Sequence, residues 1–286
     1  MSPTIQAFFD EKTFTVTYLV SEATSRRGVI VDPVLDYDPR SARTSTGSAD
    51  AILAAVKEKS LVVEWILETH AHADHLSASA YLKKKLGAKV AIGEHIKDVQ
   101  KVFRPIFNAT DVSGEGSEFD HLLRDGEKLQ VGAMTIEVLH TPGHTPGCVS
   151  YRMGDNLFVG DTVFMPDYGT ARCDFPGGDA RQLYRSIKRI FSFPPDNTLW
   201  MCHDYKPAGR EVYAWRSTIS EQRAKNIHIH DGVSEEEFIE MRRARDKTLE
   251  NPVLILPSIQ VNIRAGNMPP PEADGHVYLK LPVNRL

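Results

Sequence analysis

Between Thr69 and His75 the chain reads Thr-His-Ala-His-Ala-Asp-His, which sets three imidazoles and one carboxylate within six positions. So dense a set of donors is seldom tolerated unless it converges on a cation, and the fold must deliver it to one place. An apolar, β-branched run from Leu61 to Leu67 leads in. Leu76 to Leu86 follows, with Leu76 and Ala80, and Leu82 and Leu86, at four-residue spacing, and Gly87 stands just past its end. The pattern predicts a strand, a ligand-bearing loop and a helix closed by glycine. In a strand-end loop His70 and His72 point to one side while Asp74 and His75 swing toward a neighbouring position. A helical continuation would scatter them round an axis.

The same arrangement recurs along the chain: a strand ends, glycine or proline breaks it, and a residue able to bind metal appears. Met134 to His140 runs into Thr141-Pro142-Gly143-His144, Asn156 to Val159 into Gly160-Asp161, and Thr198 to Cys202 into His203. Ligands on such loops are held by a rigid scaffold while staying open to substrate. The candidates are therefore His70, His72, Asp74, His75, His144, Asp161 and His203. Elsewhere residues 5–34 read as β-rich, 36–50 as a polar loop, and Asp50 as the cap of a helix over Ala51–Lys59. Ile96 to Phe107 reads as a helix interrupted at Pro105, 108–127 as an irregular connection, 162–179 as a loop, and about 180–191 as a helix. Strand-rich halves each trailed by helices suggest an α/β chain with two sheets face to face and helices outside.

Composition excludes several classes. With 41% apolar residues in 286, the chain can bury a large core. Its net charge of −4 and scattered basic residues argue against nucleic acid as partner. The N-terminal stretch lacks a basic region followed by an apolar core, and no apolar run is long enough for a bilayer. A soluble, cytoplasmic protein without membrane association is expected. Cys148, Cys173 and Cys202 are odd in number and share no C-x-x-C spacing, so a disulfide framework is not expected.

Together His-Ala-His-Ala-Asp-His, Thr-Pro-Gly-His-Thr, Gly-Asp and His-Asp-Tyr resemble the metallo-β-lactamase superfamily over roughly residues 10–215. The resemblance implies an αββα sandwich, two packed mixed sheets flanked by helices, with the site along one edge. It divides the chain into a catalytic domain, 1–215, and a helical or irregular extension, 216–286, packed on it. Within the superfamily, Thr141 to Cys148, Arg172-Cys173-Asp174-Phe175 with Leu183 to Ile187, and Cys202 to Tyr205 resemble persulfide dioxygenases and, secondarily, glyoxalase II. The former implies one Fe(II) per chain on His70, His144 and Asp161, with His72, Asp74, His75 and His203 around it. The expected reaction oxidises glutathione persulfide with O2 to sulfite and glutathione, in a homodimer.

The rival is a hydrolase of glyoxalase II or lactonase type with two zinc ions, His70, His72 and His144 for one, Asp74, His75 and His203 for the other, and Asp161 between. For the carboxylates of a thiol peptide, Arg172, Tyr205 and Lys206 flank the site, and Tyr168 lines its entrance. An internal pair of Arg172 with Asp174 or Asp167 is the alternative, as is a solvated Lys206. His228 and His230 read as a partly exposed histidine face rather than a metal pair, and His140 as packing beside the His144 loop, with a hydrogen bond behind the ligands as the alternative. The charged run from Glu235 to Arg245 reads as a solvated helix with i,i+4 pairs. Of the extension, Arg223, Asn262 or Arg264 could reach the site.

Overall fold

In the computed structural model, which describes residues 3–22 and 24–285, two six-stranded sheets stack with helices on both outer faces. The first sheet takes β1 (Thr4–Asp10), β2 (Thr15–Ser21), β3 (Arg27–Val31), β6 (Val62–Leu67), β8 (Lys89–Gly93) and β9 (His121–Leu123), in that spatial order. Its first three strands are antiparallel and the rest parallel. The second takes β10 (Lys128–Val131), β11 (Met134–His140), β12 (Val149–Met153), β13 (Asn156–Phe158), β14 (Thr198–Trp200) and β15 (Arg216–Thr218). Only its β13–β14 pair is parallel. A small third sheet joins β5 (Arg43–Ser45), β4 (Val34–Asp38) and β7 (Leu76–Ser77).

Side-chain alternation builds the layers. Val16, Tyr18 and Val20 of β2 face inward against Ile136, Val138 and Tyr151 of the second sheet, while Leu19 faces out. The outer face of the first sheet is covered by α1 (Gly47–Glu58), α2 (Ser79–Leu86), α3 (Ile96–Ile106) and α7 (Ile255–Asn262) through Ile52, Leu82, Phe103 and Ile259. The second is covered by α4 (Ala180–Ile190), α5 (Ile219–Lys225) and α6 (Glu235–Asp246). In α4, Leu183, Ile187 and Ile190 recur at helical spacing and are fully buried, each contributing about 1.5–3 kcal/mol of apolar burial. Among the described residues no helix is long and apolar enough to cross a membrane.

The αββα layering matches the expectation; several local readings do not. Residues 36–50 are not a loop but the β4–β5 hairpin and the first turn of α1. There the Asp36 carboxylate accepts from Ser45 Oγ and from Ser48 N and Oγ, which organises the turn. Thr46, not Asp50, stands at the helix N-cap, and Asp50 accepts from Thr46 Oγ1 and the Tyr81 hydroxyl. Leu76 and Ser77 pair with β4 before α2 begins at Ser79, and Gly87 closes α2 in the left-handed conformation as expected. Pro105 lies in the last turn of α3 without breaking it, and the 108–127 connection contains β9. α6 is not simply solvated. Its Glu235 pairs with Arg181 and Arg185 of α4, and Arg242 and Asp246 form a buried i,i+4 pair.

Candidate metal centre

The C-terminal ends of β3 and β6 are parallel neighbours, so Asp32 and the Thr69–His75 loop emerge side by side. β11, β13 and β14 deliver His144, Asp161 and His203 to the same edge. Two glycines allow this closeness. A Cβ on Gly143 (φ +141°) would lie 2.4 Å from the backbone of Leu183, and one on Gly160 (φ +50°) 2.6 Å from Thr69 Oγ1.

His70, His144 and Asp161 converge, with their ligand atoms within 4.8 Å of one another. Asp161 Oδ2 is 3.9 Å from His70 Nε2 and 3.8 Å from His144 Nε2. These gaps are too wide for hydrogen bonds, but one cation at about 2.0–2.2 Å from each atom spans them. On the other side Asp161 Oδ1 is 3.3 Å and Asp74 Oδ2 3.1 Å from His203 Nε2. His70 Nε2, His72 Nδ1, Asp74 Oδ2, His75 Nε2, Asp161 Oδ1 and His203 Nε2 are buried and make no hydrogen bond. Buried polar atoms rarely go unpaired. A donor set of imidazoles and carboxylates left open in this way fits a metal ion.

Behind them lies a layer that orients each ring. His70 Nδ1 contacts Thr69 Oγ1 at 3.0 Å, and Thr69 in turn donates to Asp32 from N (2.7 Å) and Oγ1 (2.9 Å). The Arg172 carbonyl accepts from His144 Nδ1 at 2.8 Å. His75 Nδ1 faces the Leu76 carbonyl, and His203 Nδ1 faces the Phe14 carbonyl and Thr15 Oγ1. In every case the partner directs the other ring nitrogen into the site. His72 is turned the opposite way, its Nε2 3.0 Å from Asp32 and 3.4 Å from Glu68.

Electrostatics follow from this layout. Burial, then the neighbouring His72, His144 and His203, holds the His70 imidazole well below its ordinary pKa, and burial and His72 take His75 down to about 3. Both are neutral with a free lone pair. Burial opposes charge on His72 too, but Asp32 and Glu68 outweigh it and hold its imidazole well above the ordinary pKa. Burial raises the Asp161 carboxyl, against the pull of His203 and His144. Cys202 is buried beside the site and donates to Asp32 across 3.6 Å; burial, then Asp32, keeps it a thiol.

The site opens into a cavity of about 600 Å³ walled by Phe14, Phe164, Tyr168, Tyr205 and the 249–254 segment, with Arg172, Arg242 and Arg245 on one side. Tyr205 stacks on His203 at 5.4 Å and lies 5.0 Å from Tyr168. Neither phenol hydroxyl bonds to another described residue. Arg172 pairs bidentately with Asp174 (2.6 and 2.7 Å) and donates to the Glu250 carbonyl, so its donors are already engaged. Asp167 instead pairs with Arg210. Lys206 is not on the cavity wall; its ammonium sits 4.7 Å over the Tyr213 ring.

The 11–203 stretch matches the family model for the metallo-beta-lactamase superfamily. The chain belongs to this superfamily. It is 51% identical to a Burkholderia pseudomallei protein named "Probable metallo-hydrolase", over 99% of this chain and 100% of that one. It is 31% identical to a mitochondrial persulfide dioxygenase of Bos taurus, ETHE1, over 93% and 90% respectively. Among solved structures, ETHE1 from Myxococcus xanthus superposes with a TM-score of 0.74 at 30% identity, covering 92% of this chain and all of that one.

Sequence reasoning missed Asp32, Glu68, Arg242 and Arg245. For Asp32 the signal was a carboxylate ending a buried strand parallel to the one feeding the ligand loop. Of the tail residues, Asn262 reaches the site's backbone, Arg264 pairs with Asp111, and Arg223 with Asp231. His228 Nδ1 accepts from Thr170 N, and His140 Nε2 contacts the Pro146 carbonyl.

Proposed function

We propose that this chain is a persulfide dioxygenase with one Fe(II), converting glutathione persulfide, O2 and water to sulfite and glutathione. The carrying observation is that His70, His144 and Asp161 form one converging set, whereas Asp74 and His75 group with His72, and His203 with His72 and Cys202. Two imidazoles and one carboxylate suit non-haem iron and leave positions free for substrate and dioxygen. The likeness to persulfide dioxygenases along almost the whole chain supports the same reading. Ferrous iron, when bound, supplies the redox chemistry between sulfur and oxygen.

The protein's own residues do the rest. Asp32 and Thr69 turn His70, and the Arg172 carbonyl turns His144, so both present Nε2 to the cavity. Phe14, Phe164 and the paired tyrosines exclude water from the sulfur. Arg245, which has no ion-pair partner among the described residues, and the Tyr205 hydroxyl offer donors to a substrate carboxylate. His72, Asp74, His75 and His203 surround the reacting atoms and hold water or ligands in place.

Oxygen uptake by iron-loaded protein given glutathione persulfide, with one sulfite per O2, is the expected result. Thioester hydrolysis without oxygen uptake would refute it. That outcome belongs to a second reading, a dinuclear zinc hydrolase, which the metallo-hydrolase relative and the open atoms of Asp74, His75 and His203 favour. Metal analysis separates them: about one iron per chain against two zincs.

A further inference from the structure

Residues 255–266 lie beyond the stretch matched by the superfamily, yet they hold its ligand loop. Among the described residues, positions 70–75 make no backbone-to-backbone hydrogen bond. Two of their carbonyls are met from outside the loop. Asn262, at the end of α7 and 4% exposed, donates from Nδ2 to the His72 carbonyl at 2.7 Å and the His75 carbonyl at 2.8 Å. Its Oδ1 accepts from Ser77 N at 2.8 Å. Ser77 Oγ in turn donates to Glu68, whose other oxygen faces His72. The segment's position is fixed by packing. Ile255, Ile259 and Ile263 share a core with Ala71, Ala73 and Leu76, and Gly266 (φ +80°) passes so close that a Cβ would lie 2.9 Å from Ala80 N.

We propose that Asn262 is a positioning residue for the cation site. It sets the turn that carries Asp74 and His75 and, through Ser77 and Glu68, the orientation of His72. Removing its amide weakens cation binding more than it weakens the fold. The inference rests on the metal site of the proposed function but not on its substrate, so it is tested by binding alone.

The test is a cobalt(II) titration of metal-free protein followed by visible absorbance, with thermal unfolding of the same samples. In Asn262→Ala the cobalt dissociation constant is expected to rise about 10–100-fold, with a shifted absorption band. Gln260→Ala is the control. Its amide bonds the Leu256 and Lys280 carbonyls at 2.8 and 3.0 Å, away from the site, so it loses stability while keeping wild-type affinity and spectrum. Asn262→Asp keeps the volume and the acceptor for Ser77 N but can satisfy at most one of the two carbonyls; it repeats the loss, and carries the test if the alanine variant does not fold. A folded Asn262 variant with wild-type affinity and spectrum overturns the proposal. So does an equal loss in Gln260→Ala, or failure of both Asn262 variants to fold. Wild-type protein that binds no cobalt overturns instead the metal site on which the inference stands.

Discussion

Replacing Asp246 by alanine would strand a guanidinium inside the protein. Arg242 is 1% exposed and donates to Asp246 Oδ1 from Nε at 2.9 Å and Nη2 at 2.7 Å, and from Nη1 to the Thr170 carbonyl at 3.0 Å. Asp246 Oδ2 accepts from Cys173 N at 2.9 Å, next to the Arg172 carbonyl that holds His144. Breaking a buried pair from one side costs about 3–5 kcal/mol, because the remaining charge is left without compensation. For a chain of this size that is a fall in Tm of about 6–10 °C, at roughly 2 °C per kcal/mol. Urea and thermal unfolding of metal-free protein measure it. The double variant Arg242→Met/Asp246→Leu removes both charges and should recover part of the loss, less about 1 kcal/mol each for the unpaired Thr170 carbonyl and Cys173 N–H. A cost below ~1 kcal/mol for Asp246→Ala, or a double variant as unstable as the single, would refute the reasoning.

Other consequences are equally open to measurement. Asp161→Asn removes the one carboxylate of the proposed iron triad, and iron per chain after reconstitution should drop at least tenfold; full iron content would exclude Asp161 as a ligand. Asp32→Asn keeps the volume but takes away the charge facing His72, and metal retention against a chelator should weaken about 10–100-fold; unchanged retention removes Asp32 from the orienting layer. Arg245→Ala should raise KM for glutathione persulfide about 10–100-fold with kcat nearly kept, the scale of one charged hydrogen bond; an unchanged KM means that the substrate does not reach it. His228 is held neutral, at about 4, by burial and then by Arg242 and Arg245, against about 6.5 in the unfolded chain. The unfolded state therefore binds the proton first, so His228's contribution is whole above pH 6.5 and lost as pH falls toward 4. His228→Gln should flatten the urea midpoint across that window, and an identical pH dependence would show that His228 does not carry it.

What could be read from the sequence was what the chemistry of residue types makes visible. Three histidines and an aspartate in six positions, and glycine-marked strand ends at His144 and Asp161, announce convergence because the chemistry that needs them resides in side chains of those types. The sandwich was legible for a similar reason, since helical spacing in α4 states which face is buried, while β2 is buried along its whole length and packs into a core on each side. The i,i+4 pattern of α6 was legible as a pattern but not as a direction. Arg242 and Asp246 keep the spacing of a surface pair yet turn inward, because Phe238 and Ile239 orient the helix onto the second sheet. Lys206 shows the opposite limit. Next to Tyr205 in sequence, it leaves the cavity because its backbone turns left-handed (φ +44°).

Asn262 marks where reading by residue type stops. Its three partners are main-chain groups of His72, His75 and Ser77, and a carbonyl or amide looks the same whatever residue bears it. No motif joins positions 262 and 72; only α7 packing beneath β7 brings them together. The same holds for Asp246 with Cys173 N, and for His144 with the Arg172 carbonyl. A metal loop without a hydrogen-bond ladder of its own must borrow its rigidity, because unpaired buried carbonyls are costly and a turn free to relax would not hold ligand atoms in register. In this chain Asn262 meets the His72 and His75 carbonyls from α7. The converging side chains stand in the stretch the superfamily shares, as do Asp32, Thr69 and the Arg172 carbonyl that orient their rings; Asn262 alone among these partners comes from outside it.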